Sequence, residues 1–366
     1  MFDDLRIRNK LILLVAVPIV IVVVLAAIGA RSRTDTAATS RQTQDLVSLA
    51  RSGSDLINSL QQESLYSAAY VASGRTQWKP EVDDARNQTN AALADASGRL
   101  DELMGTSANF RSSAALARGA SEKLQYIRSA TDEGYRWDQV ADTYSLLQDT
   151  FLGLNVSITD ALTDPQVAGQ LRAAGALAGY KAAIATQGSF LTGAAGEGEI
   201  PETVYPMFEL SVRQETSQAT IFSTLATADR KNDVRDALTS DARTLFETTR
   251  DGAIFTGSLE LEPKAVAEAT TTVLNDMHDV ETDLMSEVID RARTNRLNSE
   301  RAARFFGYAA VIATLVAAAG AVLLGRRITR PLNKLTHAAH TLSTEHMPRL
   351  VDSLRNPNED DVTVHL

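Results

Sequence analysis

The chain has 366 residues, is 44% hydrophobic, carries a formal net charge of −10 and contains no cysteine. The missing thiols exclude disulfides, thiolate metal sites and cysteine nucleophiles together. The acidic excess is gathered between two uncharged stretches, 11–30 and 305–324, so the long middle segment offers no basic face to nucleic acid.

Residues 1–10 are a basic tail with Arg6, Arg8 and Lys10. At ~1.5 Å rise per residue, the run that follows spans ~30 Å, the thickness of a bilayer's hydrocarbon core. It is longer than the ~7–15 apolar residues of a signal-peptide core. It is therefore read as an uncleaved transmembrane helix at 11–30, with the small residues Ala26, Ala27, Gly29 and Ala30 leaving cleavage as the alternative. A second span is expected at 305–324. Basic residues flank both runs on both sides, so the two termini share one side of the membrane but charge does not choose which.

Residues 31–304 are rich in Ala, Leu, Gln, Glu and Arg, and read helical almost throughout. Breakers divide them at Gly74 and Pro80, Gly105–Asn109, Gly134, Asp164-Pro165, Gly193–Pro201, Arg230–Asp233 and Glu262-Pro263, with Pro201 expected to open a helix. The predicted fold is all-α, with about eight antiparallel helices in one or two four-helix bundles. The first helix, from near Ser32 to Ser73, continues the first span, and the last, from Pro263 to Arg304, runs into the second. Apolar stripes built on three- and four-residue steps predict the core: Leu49, Leu56, Leu60 and Tyr70; Leu177, Tyr180, Ile184 and Leu191; Met277, Val280, Leu284 and Val288.

Polar residues inside these stripes are more informative. Glu63 lies three after Leu60, and Gln187 three after Ile184. Burying either without a partner costs ~1–3 kcal/mol or more. They form either a ligand pocket between helices or satisfied interhelical hydrogen bonds. After the second span, Ile328, Leu332, Leu335, Ala339 and Leu342 step by four and three residues along a predicted helix at 325–355. So narrow a seam is buried most simply in a parallel homodimer. Residues 356–366 are a polar connector.

The segment ITRPLNKLTHAAHTLS, with Pro331 and Leu332 soon after a membrane span, resembles the first helix of a HAMP relay domain. RIRNKLILLVAVPIV, LINSLQQESLYSAAYVASG, YKAAIATQGSFLTGA and VETDLMSEVIDRA are similar to segments of actinobacterial sensor histidine kinases, in their nitrate- and nitrite-sensing amino-terminal half. The resemblance implies an all-helical extracytoplasmic sensory domain at 31–304, both termini in the cytoplasm of a two-pass protein of the cell membrane, and a cytoplasmic signalling partner. It implies a small ligand at Glu63, Ser64, Gln187 and Gly188, where the family pattern places arginine after each of the glutamate or glutamine residues. Here Ser64 and Gly188 stand in those places, which disfavours nitrate and nitrite, since a guanidinium fork is the usual clamp for a planar anion. His337 and His340 lack the acidic neighbour and downstream domain of a phosphoacceptor site, and no Walker, GxSxG or HExxH sequence is present. No enzyme activity and no cofactor are expected of this chain. The alternative to a receptor is a membrane-anchored scaffold that binds no small ligand.

Overall fold

The computed structural model describes residues 7–103, 108–259 and 261–341. Nine helices and no strand are present among the described residues: α1 Ile7–Ala72, α2 Lys79–Leu103, α3 Ala108–Glu133, α4 Trp137–Ala161, α5 Pro165–Ala195, α6 Tyr205–Leu225, α7 Ala228–Ala237, α8 Asp241–Phe255 and α9 Pro263–Thr341. Two compact units divide the chain, Ala38–Asn298 and the pair Met1–Ala37 with Ser299–Leu366.

Sequence explains most helix ends in the larger unit. Asp164 caps α5 by accepting from the backbone N–H of Gln166 and Val167, with Pro165 in the first turn where a missing N–H costs nothing. Thr227 and Ser240 cap α7 and α8 in the same way. Two expected boundaries move. Pro201 opens only a turn, its carbonyl accepting from Val204 and Tyr205, and α6 starts at Tyr205 with Pro206 in its first turn. Arg230–Asp233 is no break but the middle of α7, held by an ion pair one turn long between those two residues.

All but one of the predicted stripe residues are buried, and Val280 packs against the same core while staying partly exposed. The centre of the unit is α5. Of its residues 173–194, all but Gly175 are buried, so it is covered on every side rather than on one face. Its glycines admit the neighbours. A Cβ on Gly188 would lie 2.2 Å from the Thr270 methyl of α9, and one on Gly193 would lie 2.4 Å from the Trp137 ring of α4. Along the chain, α3 packs on α4, α4 on α5 and α5 on α6.

In the smaller unit the Arg33 guanidinium stacks 4.6 Å over the Phe306 ring. Val20, Leu25, Ile28, Ile312, Leu315 and Leu323 all expose most of their surface. Among the described residues one helix, α9, is long and apolar enough to cross a membrane, through a window of which nothing is buried. In the first apolar stretch the side chains up to Ala16, and that of Pro18, lie outside the described residues.

Candidate functional site

Glu63 is fully buried on α1, and its carboxylate is completely engaged. Arg128 of α3 donates to it twice, Nε to Oε1 at 2.7 Å and Nη2 to Oε2 at 2.9 Å. Tyr144 of α4 adds its hydroxyl to Oε1 at 2.7 Å. Arg86 of α2 lies 3.9 Å away and makes its own fork to Asp132 at 2.8 and 2.9 Å. Burial, then the Glu63 charge, pushes the Tyr144 phenol well above its ordinary range, so it stays a donor. Burial pulls on Arg128 the other way, but Glu63 outweighs it and leaves the guanidinium more firmly protonated. Two arginines, two carboxylates and the Tyr144 hydroxyl thus form one network across four helices, in which Arg86 Nε alone is buried without a hydrogen-bond partner.

Gln187 of α5 heads a second network. Its Nε2 donates to Glu215 Oε2 of α6 at 2.9 Å and to the Ser211 carbonyl at 3.3 Å. Glu215 also accepts from Arg243 at 2.6 Å and Arg250 at 3.2 Å, both on α8. Two buried atoms here have no hydrogen-bond partner, Gln187 Oε1 and Arg243 Nη1. Burial opposes the Arg243 charge, and Glu215 more than restores it.

Between these networks α1 and α5 run side by side, and Ser64 meets Ser189 hydroxyl to hydroxyl at 3.0 Å. Gln61, Ser67 and Thr192 on these two helices also hold buried side-chain atoms without a partner. Gly188 takes no part in hydrogen bonding by side chain and serves as the notch for Thr270. Glu63 and Gln187 are therefore each paired, and each with a different set of helices. Arg51 and Arg75 point elsewhere, to Asp55 with the Thr282 carbonyl, and to the carbonyls of Thr131 and Tyr135.

A third cluster escaped the sequence reading. Lys181 of α5, 1% exposed, donates to Glu281 of α9 at 2.7 Å and to Asn58 of α1 at 3.0 Å, beside His278 Nδ1 at 3.1 Å. Ser54 of α1 also hydrogen-bonds Glu281. Burial pushes the Glu281 carboxyl up, but Lys181, His278 and Ser54 together hold it at about 2. Among the described residues no group of three or more His, Asp or Glu side chains is arranged to hold a metal. Ile328, Pro331, Leu332, Leu335 and Ala339 lie within α9, and Leu342 lies outside the described residues.

The solved structure of the NasR transcription antiterminator is similar in fold, with a TM-score of 0.65 and 18% identity over 88% of this chain and 90% of that one. A family model described as nitrate and nitrite sensing matches residues 55–289, and the chain belongs to that family. No curated protein matches it.

Proposed function

We propose that this chain is the sensory portion of a transmembrane signalling protein, with residues 31–304 outside the cytoplasm and membrane spans at 11–30 and 305–324. A HAMP-like relay helix at 325–355 passes the input to a histidine-kinase output in the cytoplasm, and the sensory helices form two bundles. One observation carries the reading. α9 is a single helix that holds Glu281 of the core, an unburied apolar window long enough for a bilayer, and the relay positions from Ile328 to Ala339. Membership of the nitrate and nitrite sensing family supports the sensory role.

The input is a small oxyanion taken at the Gln187 end. The absence of arginine at 64 and 188 argues for a site without cations, but Arg243 and Arg250 bring two guanidiniums to Gln187 from α8. Glu215 occupies them, so an anion enters by displacing that carboxylate and loosening α6 from α8. Titration of the purified protein with nitrate, nitrite and chloride, read by thermal unfolding, tests this. A saturable rise with nitrate or nitrite is expected, lost in Arg243→Gln and strengthened in Glu215→Gln. Identical behaviour in all three salts would overturn the oxyanion assignment and favour the scaffold reading, which has its own support in the carboxylate already paired with each core arginine. The membrane assignment is tested separately by alkaline carbonate extraction, where release of the chain into the aqueous fraction would sink it.

A further inference from the structure

A groove of about 520 Å³ between α6 and α8 is lined by Glu215 and Arg250 of the Gln187 network, and by Tyr180 of α5. Tyr180 is 8% exposed, and its hydroxyl has no hydrogen-bond partner among the described residues. The phenol feels the charges of Arg243, Glu215 and Arg250 together, so it faces that network, and burial raises its pKa and keeps it a donor. The other hydroxyls of the groove are spent. Those of Thr216, Thr220 and Ser223 each donate to a carbonyl of their own helix. Beneath them Arg243 Nη1 is a second buried donor without an acceptor. Buried donors normally find partners, so two of them around one arginine pair mark a place that an acceptor fits.

Glu215 itself shows which acceptor. Arg243 and Arg250 already hold its carboxylate at 2.6 and 3.2 Å, so an incoming carboxylate replaces it like for like and gains the Tyr180 donor that Glu215 leaves unused. The walls then choose the rest of the ligand. Val212 on α6 and Ile254 and Phe255 on α8 are apolar, and Phe255 is 82% exposed. Apolar walls with a few polar groups at one end are the usual make-up of a small-molecule site, and nitrate or nitrite has no apolar body to cover them. Asp251, which accepts from Arg250 Nε at 3.1 Å, also lines the groove and disfavours a second negative charge. We infer that the α6–α8 groove binds small monocarboxylic acids with an apolar body, the carboxylate taking the place of Glu215 on Arg243 and Arg250 with a hydrogen bond from Tyr180, and the body lying against Val212, Ile254 and Phe255. This rests on the oxyanion reading of the Gln187 end and names the class of oxyanion that fits it best.

Calorimetric titration of the full chain in detergent tests it, with benzoate, acetate, nitrate and the uncharged benzamide as probes. Benzoate should bind about tenfold or more tighter than acetate or nitrate, and benzamide should give no saturable heat. Tyr180→Phe should weaken benzoate several-fold. Phe255→Ser, at a position open to solvent, should bring benzoate down towards acetate. Circular dichroism checks that both variants are folded, and the exposed site keeps the test valid if the buried one is not. Equal affinities for benzoate and acetate would overturn the inference, as would benzoate binding that Phe255→Ser leaves unchanged. Saturable binding of nitrate without benzoate would overturn it alone and leave the oxyanion reading standing. Silence from all three anions, or binding that survives Arg243→Gln, would overturn both.

Discussion

Glu281 shows what an ion inside this protein requires. Taking a carboxylate out of water costs several kcal/mol, and a single ion pair returns that only when the remaining lone pairs are also met. Lys181, Ser54 and His278 meet them. The carboxyl titrates at about 2 when folded and near its ordinary 4.5 when unfolded. Its contribution is complete above the unfolded value and is lost as pH falls from there through the folded one, while burial lowers the pKa of Lys181 and offsets part of the gain. Chemical denaturation between pH 5 and 2 should show that loss, and the double variant Lys181→Met with Glu281→Leu should flatten the slope. Glu63→Gln should cost ~3–5 kcal/mol, because Arg128 then stays buried without its counter-ion. Urea unfolding of that variant checks the figure. The spacing that marks Glu63 also marks this pair. Lys181 lies four after Leu177 and three before Ile184, and Glu281 four after Met277 and three before Leu284. Each charge was thus legible as buried. Which charge meets which was not, since partners such as Glu63 and Arg128 lie 65 positions apart and only tertiary packing joins them.

At the scale of the element, α5 is the least forgiving. Gly188→Ala puts a methyl group into the space of the Thr270 side chain, and overpacking of this kind costs ~1–3 kcal/mol. Thr270→Ala should recover most of that loss in the double variant, and the thermal midpoints of the four proteins measure the coupling. Helix ends were legible where the chemistry is local. Asp164-Pro165 marks the start of α5 because cap and proline act within one turn, and Pro263 opens α9 in the same first-turn position. Arg230–Asp233 misled because a short polar helix with exposed charges has the composition of a loop, and its true start rests on the single hydroxyl of Thr227.

For the whole molecule, the larger unit contains every buried network described above. A fragment of residues 38–298 should therefore fold without detergent, as a helical protein with one cooperative unfolding transition. Circular dichroism and gel filtration decide it, and aggregation of the fragment would show that the apolar stretches are needed for its fold. The relay makes a second demand at this scale. One residue inserted between Leu324 and Ile328 rotates everything after it by ~100° about the helix axis, which should uncouple output from input in a chimera with a kinase of known activity.

Because water reaches almost no atom of α5 between Ala173 and Ala194, its amide hydrogens have no local route to exchange. In deuterated buffer they should be the last of the protein to be replaced, at a rate set by opening of the entire domain. An isotope-labelling clock on this one helix would then register any signal that loosens the domain, whichever surface the signal first touches.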